Sequence, residues 1–156
     1  MIPRLTAIEQ FNFACAKTLD EERYGDWPHF FAAESRYEIL SRENVMQGLP
    51  APLMSCYSHG MIKDRVAMLV KSTLTYRRMY LKHFISNVHI VSEDARQIRA
   101  SANVLLMQST LEGVSSICAV GSYDDVFIEE DGALKLFSRR VVLDSFGIDT
   151  MLAVPI

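Results

Sequence analysis

The sequence predicts an α+β fold in which N-terminal helices close one side of a strongly curved antiparallel sheet, forming a cone-shaped barrel. Apolar residues recur at three- and four-residue spacing in the first half of the chain, which is typical of amphipathic helices. In the second half they alternate with polar residues, and turn-forming pairs separate the alternating runs. Helices followed by a series of long strands are the element order of this fold class.

The N-terminal part predicts three helices. The first is expected to begin at a T-x-x-E capping box formed by Thr6 and Glu9. Its apolar stripe consists of Ile8, Phe11, Cys15 and Leu19. A second short helix is expected to begin at the acidic run 20–22, because acidic side chains favour the positive N-terminal end of a helix. A third is expected to begin at Pro28 and to carry residues 30–32.

The middle of the chain predicts a strand, an irregular stretch and a helix. Residues 36–40 are typical of a strand. Residues 41–58 contain one glycine and two prolines, so we expect an extended loop with a short strand near 53–57. Ser58 is placed to cap a helix over 59–72, whose apolar residues keep to one side.

The second half predicts a meander of long antiparallel strands. The alternating or strand-like runs are 83–90, 98–106, 117–128 and 134–143. The Asp131-Gly132 pair favours the positive φ angles of a tight hairpin turn. We find no internal repeat and no linker, and 156 residues suffice for one core, so residues 1–156 are expected to form a single domain.

Composition narrows the function classes. Sixteen Lys and Arg against nineteen Asp and Glu give a net charge of −3, which argues against a nucleic-acid partner. No apolar run approaches the roughly 20 residues of a membrane-spanning helix, and the start shows no secretion signal, so we expect no membrane association. Three widely spaced cysteines favour a reducing cytoplasm over a disulfide framework. A mean hydropathy of +0.09 suggests that some surface is buried against a partner.

Metal-ligating patterns are incomplete. Cys56 and His59 form a C-x-x-H pair, but a Rieske centre also needs a C-x-H pair, which the sequence lacks. His83 and His89 share one predicted strand face but would lie about 20 Å apart, too far to bind one metal ion. We therefore expect no metal site and interpret each histidine as structural.

Acid–base chemistry is the stronger enzymatic hypothesis. An Asp and a His inside a water-filled cone could abstract protons, and Asp26 with His83 is the most plausible pair, with Tyr24 as a third polar group. The alternative for Asp26 is helix capping beside Trp27 and Pro28. Neither a nucleophile-elbow motif nor a glycine-rich phosphate loop occurs in the sequence.

The last predicted strand carries an unusual charge pattern. Arg139 and Arg140 point to opposite faces, so one of them must face inward or against a partner, and Asp144 follows. Arg and Asp are buried only when they are paired. Two interpretations remain open: an intrachain salt bridge at the rim of the barrel, or an ion pair between subunits.

Several segments, in order along the chain, resemble one family. They are 19–31, 36–39 with 42–44, the D-R-V helix 61–66, the strand 82–88 and the closing strand 139–144. The strand reads K-H-F-I-S-N-V, with Lys82 where the family usually has Arg. Together they resemble the small, or β, subunits of Rieske-type aromatic-ring-hydroxylating dioxygenases. Residues 14–20 and 149–156 are similar to the small subunits of terephthalate and salicylate hydroxylating systems.

This resemblance implies a fold shared with scytalone dehydratase and the nuclear transport factors. It implies a non-catalytic subunit without cofactors, partnered with a large α subunit, commonly as α3β3, that holds a Rieske 2Fe-2S cluster and a mononuclear Fe(II). A reductase, sometimes with a ferredoxin, would supply electrons from NADH for hydroxylation of a single-ring aromatic acid in aromatic catabolism. Within this family, five residues are expected to be structural or interface residues: His83, Asn87, Arg139, Arg140 and Asp144.

Two other functions stay open from the sequence. One is a stand-alone dehydratase or isomerase of the same fold that uses Asp26 and His83 as an acid–base pair. The other is a small-ligand-binding or scaffold protein, whose melting temperature a ligand would raise.

Overall fold

A computed structural model describes residues 1–49, 51–72, 79–144 and 154–156, the side chains of residues 71 and 72 excepted. The helices are α1 (Arg4–Asp20), a short 3-10 helix (Tyr24–Phe30), α2 (Arg42–Met46) and α3 (His59–Ser72). The strands are β1 (Phe31–Ser41), β2 (Met54–Cys56), β3 (Met79–Glu93), β4 (Ile98–Thr110), β5 (Ser115–Glu130) and β6 (Ala133–Leu143). The predicted α+β class, with N-terminal helices followed by a long sheet, is confirmed.

The strands form one sheet in the order β2-β1-β6-β5-β4-β3. Strands β3 to β6 make the predicted antiparallel meander. The sheet as a whole is mixed, because β1 runs parallel to β6. Alternation within each strand predicts its buried face but carries no information on which distant strand becomes its neighbour, so this pairing could not be predicted.

Bulges interrupt the long ladders and bend the sheet. Register shifts occur in the β3–β4, β4–β5, β5–β6 and β1–β6 pairs. Each bulge adds an unpaired residue and increases the local twist, which is how a sheet of such long strands curves around a core. Asp131 and Gly132, with φ angles of 54° and 76°, make the predicted tight turn between β5 and β6.

The core lies between the sheet and the helices α1 and α3. Alternation predicts that every second residue of β4 from Ile98 to Leu106 faces inward, and these five residues are all buried. The ring of Trp27 packs edge-on against Phe31 and Tyr37, with centroids 4.8 and 5.1 Å apart. These edge-to-face contacts join the 3-10 helix to β1.

Two predictions about the first two helices are wrong. Helix α1 begins at Arg4, with Pro3 before it and no side-chain cap, so Thr6 and Glu9 lie inside the helix and form no capping box. No second helix begins at 20–22, because α1 ends at Asp20 and Glu22 takes a φ of 59° that breaks the helical path; the next helix begins at Tyr24.

The third predicted helix is also misplaced. The helix around Pro28 is a 3-10 helix that starts at Tyr24 and ends at Phe30. Phe31 and Ala32 belong to β1, where they are 3% and 0% exposed. These two residues are in a strand because they are buried against the core. The local sequence pattern carries no information about that burial.

The stretch predicted as irregular is partly ordered. Ser41 caps the short helix α2, its side chain accepting a hydrogen bond from the Asn44 amide at 3.2 Å. Strand β2 falls inside the predicted 53–57 and pairs with β1. Helix α3 matches its prediction, and Ser58 Oγ accepts from the Met61 amide at 3.1 Å. In the part of the chain that the structure describes, no helix is long and apolar enough to cross a membrane.

Candidate functional site

A buried ion pair lies at the centre of the sheet. Arg139 on β6 and Asp125 on β5 are directly opposite in register. The guanidinium donates from Nε to Oδ1 at 2.9 Å and from Nη2 to Oδ2 at 2.8 Å, a bidentate geometry. Both side chains are almost fully buried, at 3% and 2% exposure. The ion pair is therefore intrachain and lies in the core, not at the rim.

Helix α1 and β5 complete the surroundings of this guanidinium. Arg139 Nη2 donates to Asn12 Oδ1 at 2.6 Å, and Nη1 lies 3.9 Å from Cys15 Sγ. Its central carbon lies 3.8 Å from the centroid of the Tyr123 ring, a cation–π contact. The network thereby fixes α1 onto the sheet. Asn12 and Asp125 were not singled out from the sequence, because neither belongs to a motif and their partners are more than ten residues away.

Burial controls the ionisation of these groups. Burial raises the pKa of the Cys15 thiol to about 11, although the nearby Arg139 charge opposes this shift. Burial also raises the pKa of Tyr123 and of Tyr37. For Arg139 burial acts in the opposite direction, but attraction by the Asp125 carboxylate prevails and keeps its pKa above the ordinary value. Burial also raises the pKa of the Asp125 carboxyl, and the Arg139 charge, which Asp125 meets through two hydrogen bonds, opposes that shift.

His83 forms the second buried polar contact. Its Nδ1 lies 2.6 Å from Asp20 Oδ1, and its backbone amide donates to both Asp20 oxygens at 3.1 and 3.0 Å. The His83 side chain is fully buried, and within the described ranges its Nε2 has no hydrogen-bond partner. One carboxylate at the end of α1 therefore holds both the imidazole and the backbone of β3.

The predicted pairing of His83 with Asp26 does not form. Asp26 lies on the 3-10 helix with an exposed side chain, where its Oδ2 accepts from Arg23 at 3.1 Å. The physical reason is the position at which α1 ends, because Asp20 reaches β3 from the last turn of that helix. From the sequence, the acidic neighbours of Asp20 assign it to a helix start, and nothing local indicates its contact with His83.

Asn87 has a conformational role in β3. It takes a φ of 56° at the register shift between Ser86 and His89, and its side chain is exposed. Asn tolerates the left-handed region better than most residues, which suits it to a bulge. His89, on the same strand as His83, is exposed, so the two imidazoles lie in different surroundings.

Arg140 and Asp144 lie in more exposed surroundings. Arg140 Nε is 3.3 Å from Glu38 Oε1 on β1, with both side chains partly exposed. Asp144 Oδ1 is 3.5 Å from Arg42 Nη1. Exposed pairs of this kind add little to folding stability. Arg140 and Asp144 are thus accessible on the surface of the described chain, whereas Arg139 and His83 are not.

The outer face of the sheet carries an open groove of about 580 Å³. Phe84, Leu105 and Val120 form an apolar row across β3, β4 and β5. Phe84 and Val120 remain 52% and 42% exposed. Other large apolar side chains are also exposed, among them Met46, Leu49, Leu53, Tyr57, Met61, Met68, Leu111, Val114 and Ile117.

The donor sets among the described residues do not fit a metal centre. Cys56 Sγ is 3.8 Å from the Met61 carbonyl, and His59 Nε2 is 3.0 Å from the Pro28 carbonyl, so the C-x-x-H pair is engaged with separate partners. Across residues 1–49, 51–72, 79–144 and 154–156, no three His, Cys, Asp or Glu side chains are grouped to hold a metal ion. The three cysteines, all within these ranges, form no disulfide with one another.

Comparison with known proteins gives the family. A family model described as the ring hydroxylating beta subunit matches residues 15–150. The chain belongs to this family. It is therefore a subunit of an aromatic-ring dioxygenase, an oxidoreductase, and the resemblance noted from the sequence is confirmed.

Individual relatives agree with this assignment. The chain is 34% identical over 149 residues to the terephthalate 1,2-dioxygenase terminal oxygenase component subunit beta 1 of Comamonas sp., covering 96% of each chain. It is 30% identical over 138 residues to the anthranilate 1,2-dioxygenase small subunit of Burkholderia cepacia, covering 88% of this chain and 85% of the relative. A solved beta subunit from Novosphingobium aromaticivorans, assigned to an aromatic-ring-hydroxylating dioxygenase, superposes with a TM-score of 0.88 at 36% identity, covering 97% and 95% of the two chains.

More distant structures share the fold alone. A protein from Novosphingobium aromaticivorans assigned as a scytalone dehydratase gives a TM-score of 0.69 at 18% identity, over 90% of this chain and 83% of that one. This likeness confirms the predicted scytalone dehydratase-like architecture of the ring-hydroxylating beta subunit.

Proposed function

We propose that this chain is the non-catalytic β subunit of a multicomponent oxygenase whose large α subunit carries the Rieske 2Fe-2S cluster and the mononuclear iron. The single observation that carries the proposal is the match of residues 15–150 to the ring hydroxylating beta subunit family. A terminal oxygenase beta subunit implies an alpha partner. The expected assembly contains three copies of each subunit.

The state of the buried polar groups supports a structural role. Arg139 is neutralised by Asp125, and His83 is bound to Asp20. The Cys15 thiol, with a pKa of about 11, stays protonated and unreactive near neutral pH. A general base or nucleophile must reach its substrate, and these groups are buried against their partners. We therefore assign His83 and Arg139 to holding the fold, and Asn87, with its φ of 56°, to shaping the bulge in β3.

The surface supports assembly with other subunits. Monomeric proteins rarely expose large contiguous apolar patches, and this chain carries the apolar row of Phe84, Leu105 and Val120 on neighbouring strands, with Phe84 and Val120 52% and 42% exposed. Arg140 and Asp144, which are accessible and charged, are our candidates for contacts between subunits. The proposed location of the complex is the cytoplasm, where reduced cysteines are the norm.

The proposed substrate is a single-ring aromatic acid. The relatives at 34% and 30% identity are named for terephthalate and anthranilate, both of which are benzene rings bearing carboxylates. The complex would add oxygen to the ring with two electrons from NADH, delivered by a reductase with or without a ferredoxin.

Reconstitution tests this function. The chain, its large subunit and a reductase are assayed with terephthalate, anthranilate and benzoate, separately and together, by NADH consumption and product analysis. We expect turnover only when the large subunit is present and none from this chain alone, with His83→Ala lowering the yield of folded complex. Turnover of an added hydroxy acid or ketone by this chain alone, lost in a His83→Ala variant that keeps the native circular dichroism spectrum, would instead establish the dehydratase or isomerase alternative.

A further inference from the structure

Residues 154–156 lie inside the molecule. Val154 packs against the core, Pro155 is buried, and Ile156 is 1% exposed and belongs to the main hydrophobic cluster. The segment forms no part of the sheet, and nothing in the periodicity of the sequence distinguishes it as core.

Tyr37 holds this segment through two hydrogen bonds. The Tyr37 hydroxyl donates to the Ile156 carbonyl at 3.0 Å and accepts from the Ile156 amide at 2.8 Å. Tyr37 is fully buried on β1, with the Trp27 ring 5.1 Å away and the Phe31 ring 6.1 Å away. Ile156 thus presents an apolar side chain, one hydrogen-bond donor and one acceptor to a hydroxyl surrounded by aromatic rings. A small bound ligand is expected to make the same kinds of contact.

We propose that residues 154–156 are an internal plug, which occupies a site that otherwise binds a small, largely apolar molecule carrying one hydroxyl group. A buried tyrosine hydroxyl needs a hydrogen-bond partner. With the plug absent, the Tyr37 hydroxyl would be left without its two partners on Ile156, beside the rings of Trp27 and Phe31, and engineered internal cavities with largely apolar walls bind small aromatic molecules. A phenol fits this chemistry, because its ring fills the space left by the plug and its hydroxyl makes one hydrogen bond with the Tyr37 hydroxyl, in place of one of the two that Ile156 makes.

The plug has a consequence for the intact chain. It closes the interior against small molecules and satisfies Tyr37 with the chain's own backbone. This inference does not depend on the proposed function, since it concerns the isolated chain.

Ligand binding to variants of the chain tests the plug. The full chain is produced by itself, so that no partner site contributes, and is compared with a variant ending at residue 153 and with Ile156→Ala. The probes are phenol and benzene, measured by calorimetry and by the shift in melting temperature. We expect saturable phenol binding by the shortened variant, benzene binding by Ile156→Ala, and binding of neither by the unmodified chain.

Tyr37→Phe in the shortened variant separates the polar contact from the cavity. We expect phenol affinity to fall by roughly tenfold, as for loss of one neutral hydrogen bond, with benzene affinity unchanged. A shortened variant with native circular dichroism that binds neither probe would overturn the proposal, as would equal binding by the unmodified chain.

Hydrogen exchange of the unmodified chain supplies a test that needs no variant. We expect the Ile156 amide to exchange as slowly as amides of the central strands β5 and β6. Exchange of Ile156 as fast as that of exposed loop amides would contradict the plug, whether or not the variants fold.

Discussion

At the residue scale, the guanidinium of Arg139 links three elements of the fold. It joins β6 to β5 through Asp125 and to α1 through Asn12. A buried charge that loses its partner is strongly destabilising, whereas replacing both charges by apolar groups can be nearly neutral. The chain can therefore tolerate loss of the pair better than loss of one partner.

We expect Asp125→Leu and Arg139→Met each to lower the free energy of unfolding by about 3–5 kcal/mol, and the double variant to lose less than either. Urea denaturation of the isolated chain measures this. Arg140→Met is the matched control, because its ion pair with Glu38 is partly exposed and should contribute at most about 1 kcal/mol. Additive losses in the double variant would show that Arg139 and Asp125 do not act as a pair.

Asp20 and Asp26 offer a direct comparison of two carboxylates. Asp20 holds the imidazole and the backbone amide of His83, while Asp26 bonds only an exposed arginine. We expect Asp20→Asn to lower the free energy of unfolding by about 1–3 kcal/mol, and Asp26→Asn by a few tenths. Thermal unfolding with circular dichroism detects the difference, and the reverse order would refute the assignment of Asp20 as the histidine's partner.

Cys15 gives a prediction for alkaline pH. Burial raises its pKa from the ordinary 9.0 to about 11, so above pH 9 the unfolded chain releases a proton that the folded chain keeps. Stability must then fall as the pH rises from about 9 to 11. We expect Cys15→Ala to make this part of the pH profile less steep, measured by urea unfolding at each pH. A profile identical to that of the unmodified chain would show that Cys15 is not the group responsible.

At the scale of elements, the packing of β5 on β6 depends on a residue without a side chain. A Cβ added to Gly121 would lie 2.2 Å from the backbone oxygen of Val142, so the strands would have to separate. We expect Gly121→Ala to lower the free energy of unfolding by about 1–3 kcal/mol, as overpacking does.

Gly25→Ala is the control for that substitution, because no heavy atom lies within 4 Å of its added Cβ. We expect a change of less than about 1 kcal/mol. If denaturant unfolding shows that both substitutions lower the free energy of unfolding equally, the close approach of β5 and β6 at Gly121 is not the cause of the loss.

The sequence was informative about elements wherever local chemistry decided them. Alternation revealed the inward face of β4, and Asp131-Gly132 revealed the turn before β6. The local pattern was misleading where distant contacts determine the secondary structure. Phe31 and Ala32, for example, belong to β1 because the core buries them. The Asp20–His83 contact spans 63 positions, and neither residue's neighbours point to the other.

At the scale of the whole molecule, the interior and the surface have different uses. The described interior is filled by aliphatic and aromatic side chains, one buried ion pair, a bound histidine and the plug of residues 154–156. The surface keeps apolar side chains such as Phe84 and Val120 exposed. This distribution suits a chain whose function lies in holding other chains, which is the central claim of the proposed function.

The family could be recognised from sequence because its motifs, from 19–31 to 139–144, occur in order along the whole chain. The site could not be predicted to the same extent. Of the five residues singled out, Arg139 and His83 are buried with partners that no motif identifies. The substrate is contacted by a different chain in the proposed complex, so this sequence alone carries little information about it.

The most direct test of the central claim is co-expression of this chain with the large-subunit gene, followed by size-exclusion chromatography with mass determination and iron analysis. We expect one complex with equal numbers of the two chains, three of each, and with all of its iron retained by the large chain. A lone 17.7 kDa species or a homodimer that does not bind the large chain would contradict the claim.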